Sequence, residues 1–206
     1  MNPGDANTIE PIKGGNQPPK EPLYTVGYGS RSIEEFVTLL NTHHLAYVID
    51  VRTAPYSRFK PEFSKEAFEA ALKARGVRYL FLGNELGGQP KDPACYTGGK
   101  VDYAKLRARP FFQAGLDRLK NAYRQQLRVA LVCSESRPEQ CHRTKLIGEA
   151  LAADGIPVCH IDEDGQLRTQ TEVIDRLTGG QLDLFGQPAF TSRKHYAAGD
   201  HTEEER

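Results

Sequence analysis

A chain of 206 residues with 27 basic and 27 acidic side chains has no formal net charge, so no global field draws it to nucleic acid or membrane and any anion site must be local. The length suits one domain of ordinary size with tails and leaves little room for two. No apolar run approaches the roughly 18 residues of a membrane span, the opening MNPGDANTIEPIKGGNQPPKEP lacks the apolar core of a signal peptide, and four cysteines read more readily as thiols than as a disulfide framework; a cytoplasmic protein without membrane association is expected.

Residues 1–22, rich in Pro, Gly, Asn and Lys, read as a disordered arm. A first apolar strand is expected at 23–28, then a helix whose start is a capping box of Ser32 and Glu35, with Ile33, Phe36, Val37 and Leu40 on one face. A second strand at 47–52 leads to a helix near 65–75 that carries Phe68, Ala71 and Leu72 and stops at Gly76. A third strand, 77–82, is followed by a long loop and by a helix from Pro110 that buries Phe112, Leu116, Leu119 and Tyr123. The fourth strand, 128–133, feeds a helix that Ser136 and Glu139 would open as a second capping box and that buries Ile147, Ala150 and Leu151 before Gly155. A fifth strand at 157–161 and a short helix in TEVIDRLTGG complete a single domain at 23–177, with 178–206 as a flexible tail. Short apolar strands alternating with helices imply parallel strands and right-handed crossovers. The expected class is α/β, a three-layer α/β sandwich with a mainly parallel five-stranded sheet, Rossmann/flavodoxin-like.

Ligands of such sheets bind beyond the carboxyl ends of the strands, and the unusual polar residues fall there. Gly27, Tyr28, Gly29, Ser30 and Arg31 follow the first strand, Asp50, Arg52 and Arg58 the second, Glu85 the third, and Cys133 and Glu135 the fourth. The fifth strand opens into His160 and Asp162. The glycines permit close backbone approach, the next helix offers its positive end, and Arg31, Arg52, Arg58 and Arg143 can fork onto phosphate or carboxylate oxygens. Asp50 and Glu85 either orient those arginines or act as acid and base with His142.

Four readings meet in LVCSESRPEQCHR, residues 131–143. A zinc site needs four ligands, yet seven residues separate Cys133 from Cys141, and His142, next to Cys141 on a helix, would point about 100° away from it. No metal and no cofactor is therefore the expectation, with zinc as the lesser alternative and Cys95, Cys159 or His160 as the missing ligands. A redox pair is sterically feasible without the Cys-x-x-Cys spacing. A nucleophilic thiol near a helix start and beside Arg143 or His142 is favoured over both. The plainest reading makes the cysteines packing residues, with Glu135, His142 and Arg143 as a ligand clamp.

GYGSRSIEEF, VIDVRTAPYSR with PEFSKEAF, LGNELGG, and VCSE with CHR together resemble the domain-of-unknown-function family numbered 488, over about residues 23–162. The resemblance implies an α/β domain with a shared polar cluster and brings no established reaction. It points to Gly27, Arg31, Asp50, Arg52, Pro55, Arg58, Glu85, Gly87, Cys133, Glu135, Cys141, His142 and Arg143 as functional positions. Tyr28 stands where many relatives have His in a Gly-His-Ser arrangement, so if that ring is a base in them, this chain does not use the position in the same way. Rhodanese-type sulfur transferases also carry Asp-Val-Arg after a strand. The residues after Cys133 do not form their glycine-bearing nucleophile loop, so that likeness concerns fold alone.

In the tail, Gln181, Leu182, Asp183, Leu184 and Phe185 resemble the motif by which bacterial repair proteins dock on the DNA sliding clamp. Gln181, Leu182, Leu184 and Phe185 would be the anchors, unless they seat on the protein's own sheet or on the mate in a homodimer. The expected function is an enzyme or ligand-binding domain for a phosphate-bearing partner, a nucleotide or a nucleic-acid end, with Cys133 or Cys141 as the attacking group if there is one. The alternatives are a non-catalytic DNA-maintenance module recruited by the clamp and a thiol-based sulfur or redox protein.

Overall fold

The computed structural model describes residues 20–180 and 190–196. Most of the arm expected at 1–22, and the anchors Gln181, Leu182, Leu184 and Phe185, lie outside the described residues. The strands are β1 (Leu23–Gly27), β2 (Tyr47–Asp50), β3 (Arg78–Phe81), β4 (Tyr96–Thr97), β5 (Lys100–Val101), β6 (Val129–Cys133), β7 (Val158–Ile161) and β8 (Leu167–Thr169). The helices are α1 (Ile33–Thr42), α2 (Lys65–Lys73), α3 (Gly83–Leu86), α4 (Tyr103–Arg107), α5 (Pro110–Arg124), α6 (Glu149–Ala153) and α7 (Gln170–Thr178). None of the described helices is long and apolar enough to cross a membrane.

The main sheet runs β3-β2-β6-β1-β7-β8. Its first five strands are parallel and are the five expected; β8 adds an antiparallel edge to β7. That edge has no apolar run to announce it, since Leu167 and Thr169 are exposed. A separate hairpin of β4 and β5 occupies the long loop.

Side chains alternate across the sheet and build two cores. Tyr24, Val26, Val48, Ala130 and Val132 face Phe36 and Leu40 of α1 and Phe68 and Leu72 of α2. On the other side Leu23, Ile49, Leu131 and Val158 face Leu116 and Leu119 of α5, with Ile147 and Leu151. The molecule is the three-layer α/β sandwich expected. β1 and β6 are neighbours whose chains leave for opposite faces, β1 to α1 and β6 to the segment before α6. Such a switch point opens a crevice at the carboxyl ends of the strands.

Ser32 caps α1 as expected: its Oγ accepts from the Glu35 N–H at 3.2 Å, and Glu35 Oε2 accepts from the Ser32 N–H at 2.7 Å. The second expected box, Ser136 with Glu139, does not form. Pro138–Gln140 make a single 3-10 turn, Cys141 is extended at φ −107 and ψ 151, and helical backbone starts only after it as the wide turn Arg143–Gly148 that continues into α6. The Ser136 carbonyl accepts from the Arg143 guanidinium at 2.8 Å, which holds 134–142 as a loop. A box not expected from the sequence, Thr169 with Glu172, starts α7.

His160 lies in a buried chain away from the crevice. Its Nδ1 is 2.7 Å from Thr25 Oγ1 and its Nε2 is 2.7 Å from Gln170 Oε1. The Gln170 amide donates to Thr144 O and Glu149 Oε1, so Oε1 is the acceptor and His160 carries its proton on Nε2. Burial, reinforced by the charge of Arg143, pushes His160 down to about 4, with Gln170 opposing. The unfolded chain therefore takes up the proton first. Stability is full above pH 6.5 and declines by up to about 3 kcal/mol as the pH falls from 6.5 toward 4. Denaturant titrations across this range should show that slope in the native chain and a shallower one in His160→Asn; parallel slopes would refute the assignment.

Candidate functional site

A pocket of about 500 Å³ lies in the crevice, with Tyr28 and Gly29 after β1, Arg52 after β2 and Cys133 to Glu135 at the end of β6 in its wall. The Tyr28 and Gly29 N–H groups donate to the Cys133 and Ser134 carbonyls at 3.1 and 3.0 Å, so the two strand ends stay laced together as they leave the sheet.

Its floor is made of Cys133, Cys141 and His142. His142 Nδ1 is 3.7 Å from Cys133 Sγ and 3.6 Å from Cys141 Sγ, while its Nε2 is 3.0 Å from the Val51 carbonyl. A carbonyl only accepts, so Nε2 carries a proton and Nδ1 faces the two sulfurs. The extended backbone at Cys141, followed by helical backbone at His142, turns both side chains the same way. The expectation that they diverge fails because Cys141 precedes the helix. Gly88, of the LGNELGG motif, makes room: a Cβ there would lie 2.8 Å from His142 Cγ.

These groups polarise one another. The hydrogen bond from Cys141 pulls the Cys133 thiol well below its ordinary range against the effect of burial, helped by His142 and Arg143. Burial first, and then the neighbouring Cys133, push Cys141 well up. Burial would lower His142, and Cys133 outweighs it, so the imidazole is raised. Sulfur and imidazole atoms of the three lie within 4.8 Å of one another.

Arg143 sits behind the floor. Its side chain is fully buried; Nη2 donates to Ser136 O, and neither Nε nor Nη1 has a hydrogen-bond partner among the described residues. Among the described residues no carboxylate pairs with it. This buried cation is placed to favour negative charge on the sulfurs.

The wall at Arg52 is rigid. Arg52 Nη2 donates to Asp50 Oδ2 at 2.6 Å and Nε to Oδ1 at 2.9 Å, and the guanidinium carbon lies 5.3 Å from the Tyr28 ring centroid and 5.9 Å from that of Phe68. Tyr79 Oη donates to the same Asp50 Oδ2 at 2.8 Å. Burial works against the charge on Arg52, and Asp50 more than restores it. Nη1 of Arg52 is buried with no hydrogen-bond partner among the described residues. Asp50 itself is not among the lining residues; it holds the arginine that is.

Sequence reasoning missed several lining residues. Lys60, whose Nζ donates to the Ser30 and Arg31 carbonyls, gave no signal beyond being a cation in a loop. Tyr103, raised by burial and then by Cys141, is buried at the start of α4. Residues 190–196, read as tail, lie against the β4–β5 hairpin: Ser192 N–H donates to Val101 O, Val101 N–H to Ser192 Oγ, and Tyr196 N–H to Gly99 O. They bring Arg193, Lys194 and Tyr196 to the rim, where Arg193 reaches Glu135 at 3.4 Å and Gln140 at 3.2 Å. The small apolar and polar residues around 190 carry no periodicity that would announce this docking.

Other expected residues stand elsewhere. Arg31 donates to the carbonyls of Gly27, Asp162 and Glu163 and ties β1 to the β7–β8 turn. Glu85 pairs with Arg118 of α5 at 3.3 Å. Ser30 and Arg58 are exposed and outside the pocket lining; Gly27 is buried, also outside it, and gives space to Arg143. The structure thus gathers Tyr28, Gly29, Arg52, Cys133, Glu135, Cys141 and His142 at one surface, with Asp50 and Arg143 directly behind.

No curated protein and no solved structure matches the chain. One family model does, over residues 32–150, a span that holds the Asp50-Val51-Arg52 segment, the LGNELGG loop and the whole of the Cys133 to Arg143 stretch. On that match, which covers more than half its length, the chain belongs to the family described as "Domain of unknown function DUF488".

Proposed function

We propose that this protein is an enzyme acting on a phosphate-bearing substrate, a nucleotide or a nucleic-acid end, held at the strand carboxyl edge with its reacting group over Cys133, Cys141 and His142. Arg52 carries this reading: a guanidinium held by Asp50 in the pocket wall, a fixed cation beside the sulfur and imidazole floor. Lys60, Arg193 and Lys194 surround the same space against a single lining carboxylate among the described residues, Glu135. Charge-assisted contacts of guanidinium and ammonium with phosphate are the strong, geometry-selective kind. The zero net charge speaks against broad duplex binding, so a small or terminal ligand fits better than a long duplex. A binding module without chemistry would need the cationic wall but not the sulfur and imidazole floor. A cytoplasmic setting belongs to this reading, in keeping with four free thiols.

The test is a thermal-shift screen of pyrophosphate, mononucleotides and 5′-phosphorylated oligonucleotides, followed by calorimetry on the best. Arg193 and Lys194 are exposed, so their removal leaves the fold intact. The Arg193→Ala, Lys194→Ala double variant should bind at least about tenfold more weakly, as expected for losing charge-assisted hydrogen bonds. Equal affinity in the variant, or no ligand that shifts the melting point, would remove the proposal.

A further inference from the structure

The floor of the pocket has the form of a metal site, and it deepens the reading just given by resting on the same pocket. We propose that Cys133 Sγ, Cys141 Sγ and His142 Nδ1 bind one zinc ion tetrahedrally, with the fourth position open to the pocket and to the substrate.

Spacing is the first reason. Zinc bonds of about 2.3 Å to sulfur and about 2.0–2.1 Å to nitrogen at a tetrahedral angle put sulfur and nitrogen about 3.5–3.6 Å apart. The two sulfur-to-Nδ1 distances are 3.6 and 3.7 Å, and all three atoms lie within 4.8 Å of one another. Both sulfur-to-nitrogen separations thus already suit an ion between them.

The surroundings are the second reason. Histidine ligands of metals donate their other ring N–H to a fixed acceptor, and His142 Nε2 does so to the Val51 carbonyl at 3.0 Å. The Arg143 backbone N–H donates to Cys141 Sγ at 3.5 Å, a contact that supports a thiolate. Behind it the Arg143 guanidinium is buried with no carboxylate partner among the described residues, so the local field favours anionic sulfur. Two thiolates with a neutral imidazole balance a divalent charge, and this soft donor set selects zinc over magnesium or calcium.

Openness is the third. Cys95, Cys159 and His160, the additional ligands considered from sequence, do not join the group. All three floor residues line the pocket, so the remaining position faces it. Three protein ligands with one open position is the arrangement of catalytic rather than structural zinc. A zinc ion here would be a Lewis acid beside the cations that hold phosphate.

Metal content of the full chain purified without chelator, and Zn²⁺ titration of the metal-free reduced protein against a chromogenic chelator, test this directly. One zinc per chain is expected. Cys133→Ser and Cys141→Ser should each weaken binding by about a hundredfold or more, and Cys159→Ser should not. Cobalt substitution should give thiolate-to-cobalt charge-transfer bands and intense visible bands of a tetrahedral site. Should the serine variants fold poorly, alkylation of the unaltered protein decides: zinc must protect Cys133 and Cys141 and leave Cys159 as before. Uptake that does not saturate at one ion, or alkylation as fast with zinc as without, overturns the inference in favour of metal-free thiols. Phosphate binding measured on the metal-free protein, with Arg193→Ala as its control, separates this outcome from failure of the proposed function.

Discussion

Replacing Asp50 by alanine is expected to destabilise the fold by about 3–5 kcal/mol, the usual consequence of removing one partner from a buried ion pair. Asp50 is fully buried and Arg52 nearly so, and their closest approach is 2.6 Å. The carboxylate also accepts from the Arg52 N–H at 3.1 Å and from Tyr79 Oη at 2.8 Å, so the substitution leaves three donor groups short of an acceptor. Burial and then Asp50 push the Tyr79 hydroxyl up, which keeps it a donor. The direction of the charge effect can be isolated: Asp50→Ala with Arg52→Met removes both ions and should recover much of the loss, since an apolar pair of similar volume is often neutral. Chemical denaturation of both variants measures this. If Asp50→Ala costs under about 1 kcal/mol, the pair is not the rigid anchor of the pocket wall described above.

The second large effect concerns Gly27, whose position at the end of β1 leaves no room for a side chain. A Cβ there would lie 1.8 Å from the Glu135 carbonyl oxygen, 2.6 Å from its carbon and 2.8 Å from Arg143 Nη1. Two of these atoms are backbone, and β1 is an inner strand paired with β6 and β7, so neither side can yield cheaply. Gly27→Ala should lose about 3 kcal/mol or more, at the upper end of overpacking effects. Gly155→Ala makes the comparison: φ is +71 with open space around it, and only the backbone penalty of about 1–2 kcal/mol applies. Equal midpoints for the two variants in denaturant would contradict the close packing of Arg143 beneath the strand end.

The sheet was legible because parallel strands covered on both faces are short apolar runs, and the five expected segments are the five parallel strands. Their carboxyl ends then locate Cys133, Arg52 and Tyr28 by rule alone. What was not legible depends on backbone detail or on distant docking. Ser136 and Glu139 have the spacing of a capping box, but Pro138 and the Arg143 side chain hold that stretch as a loop. From this follows the geometry of the floor, because an extended Cys141 lets neighbouring residues converge where a helix would spread them. Arg31 looked like an anion ligand from its place after β1, yet it is occupied by three carbonyls. Residues 190–196 reach the rim through a single β-bridge and a few hydrogen bonds to residues about 90 positions earlier, which no local pattern encodes.

The most direct measurement is a crystal structure of the protein with the tightest-binding phosphate ligand from the screen. Phosphate oxygens against the Arg52 guanidinium in the pocket wall and within hydrogen-bonding distance of Arg193, with the rest of the ligand over Cys133, Cys141 and His142, are the expected result. Ligand bound outside the crevice between β1, β2 and β6 would contradict it.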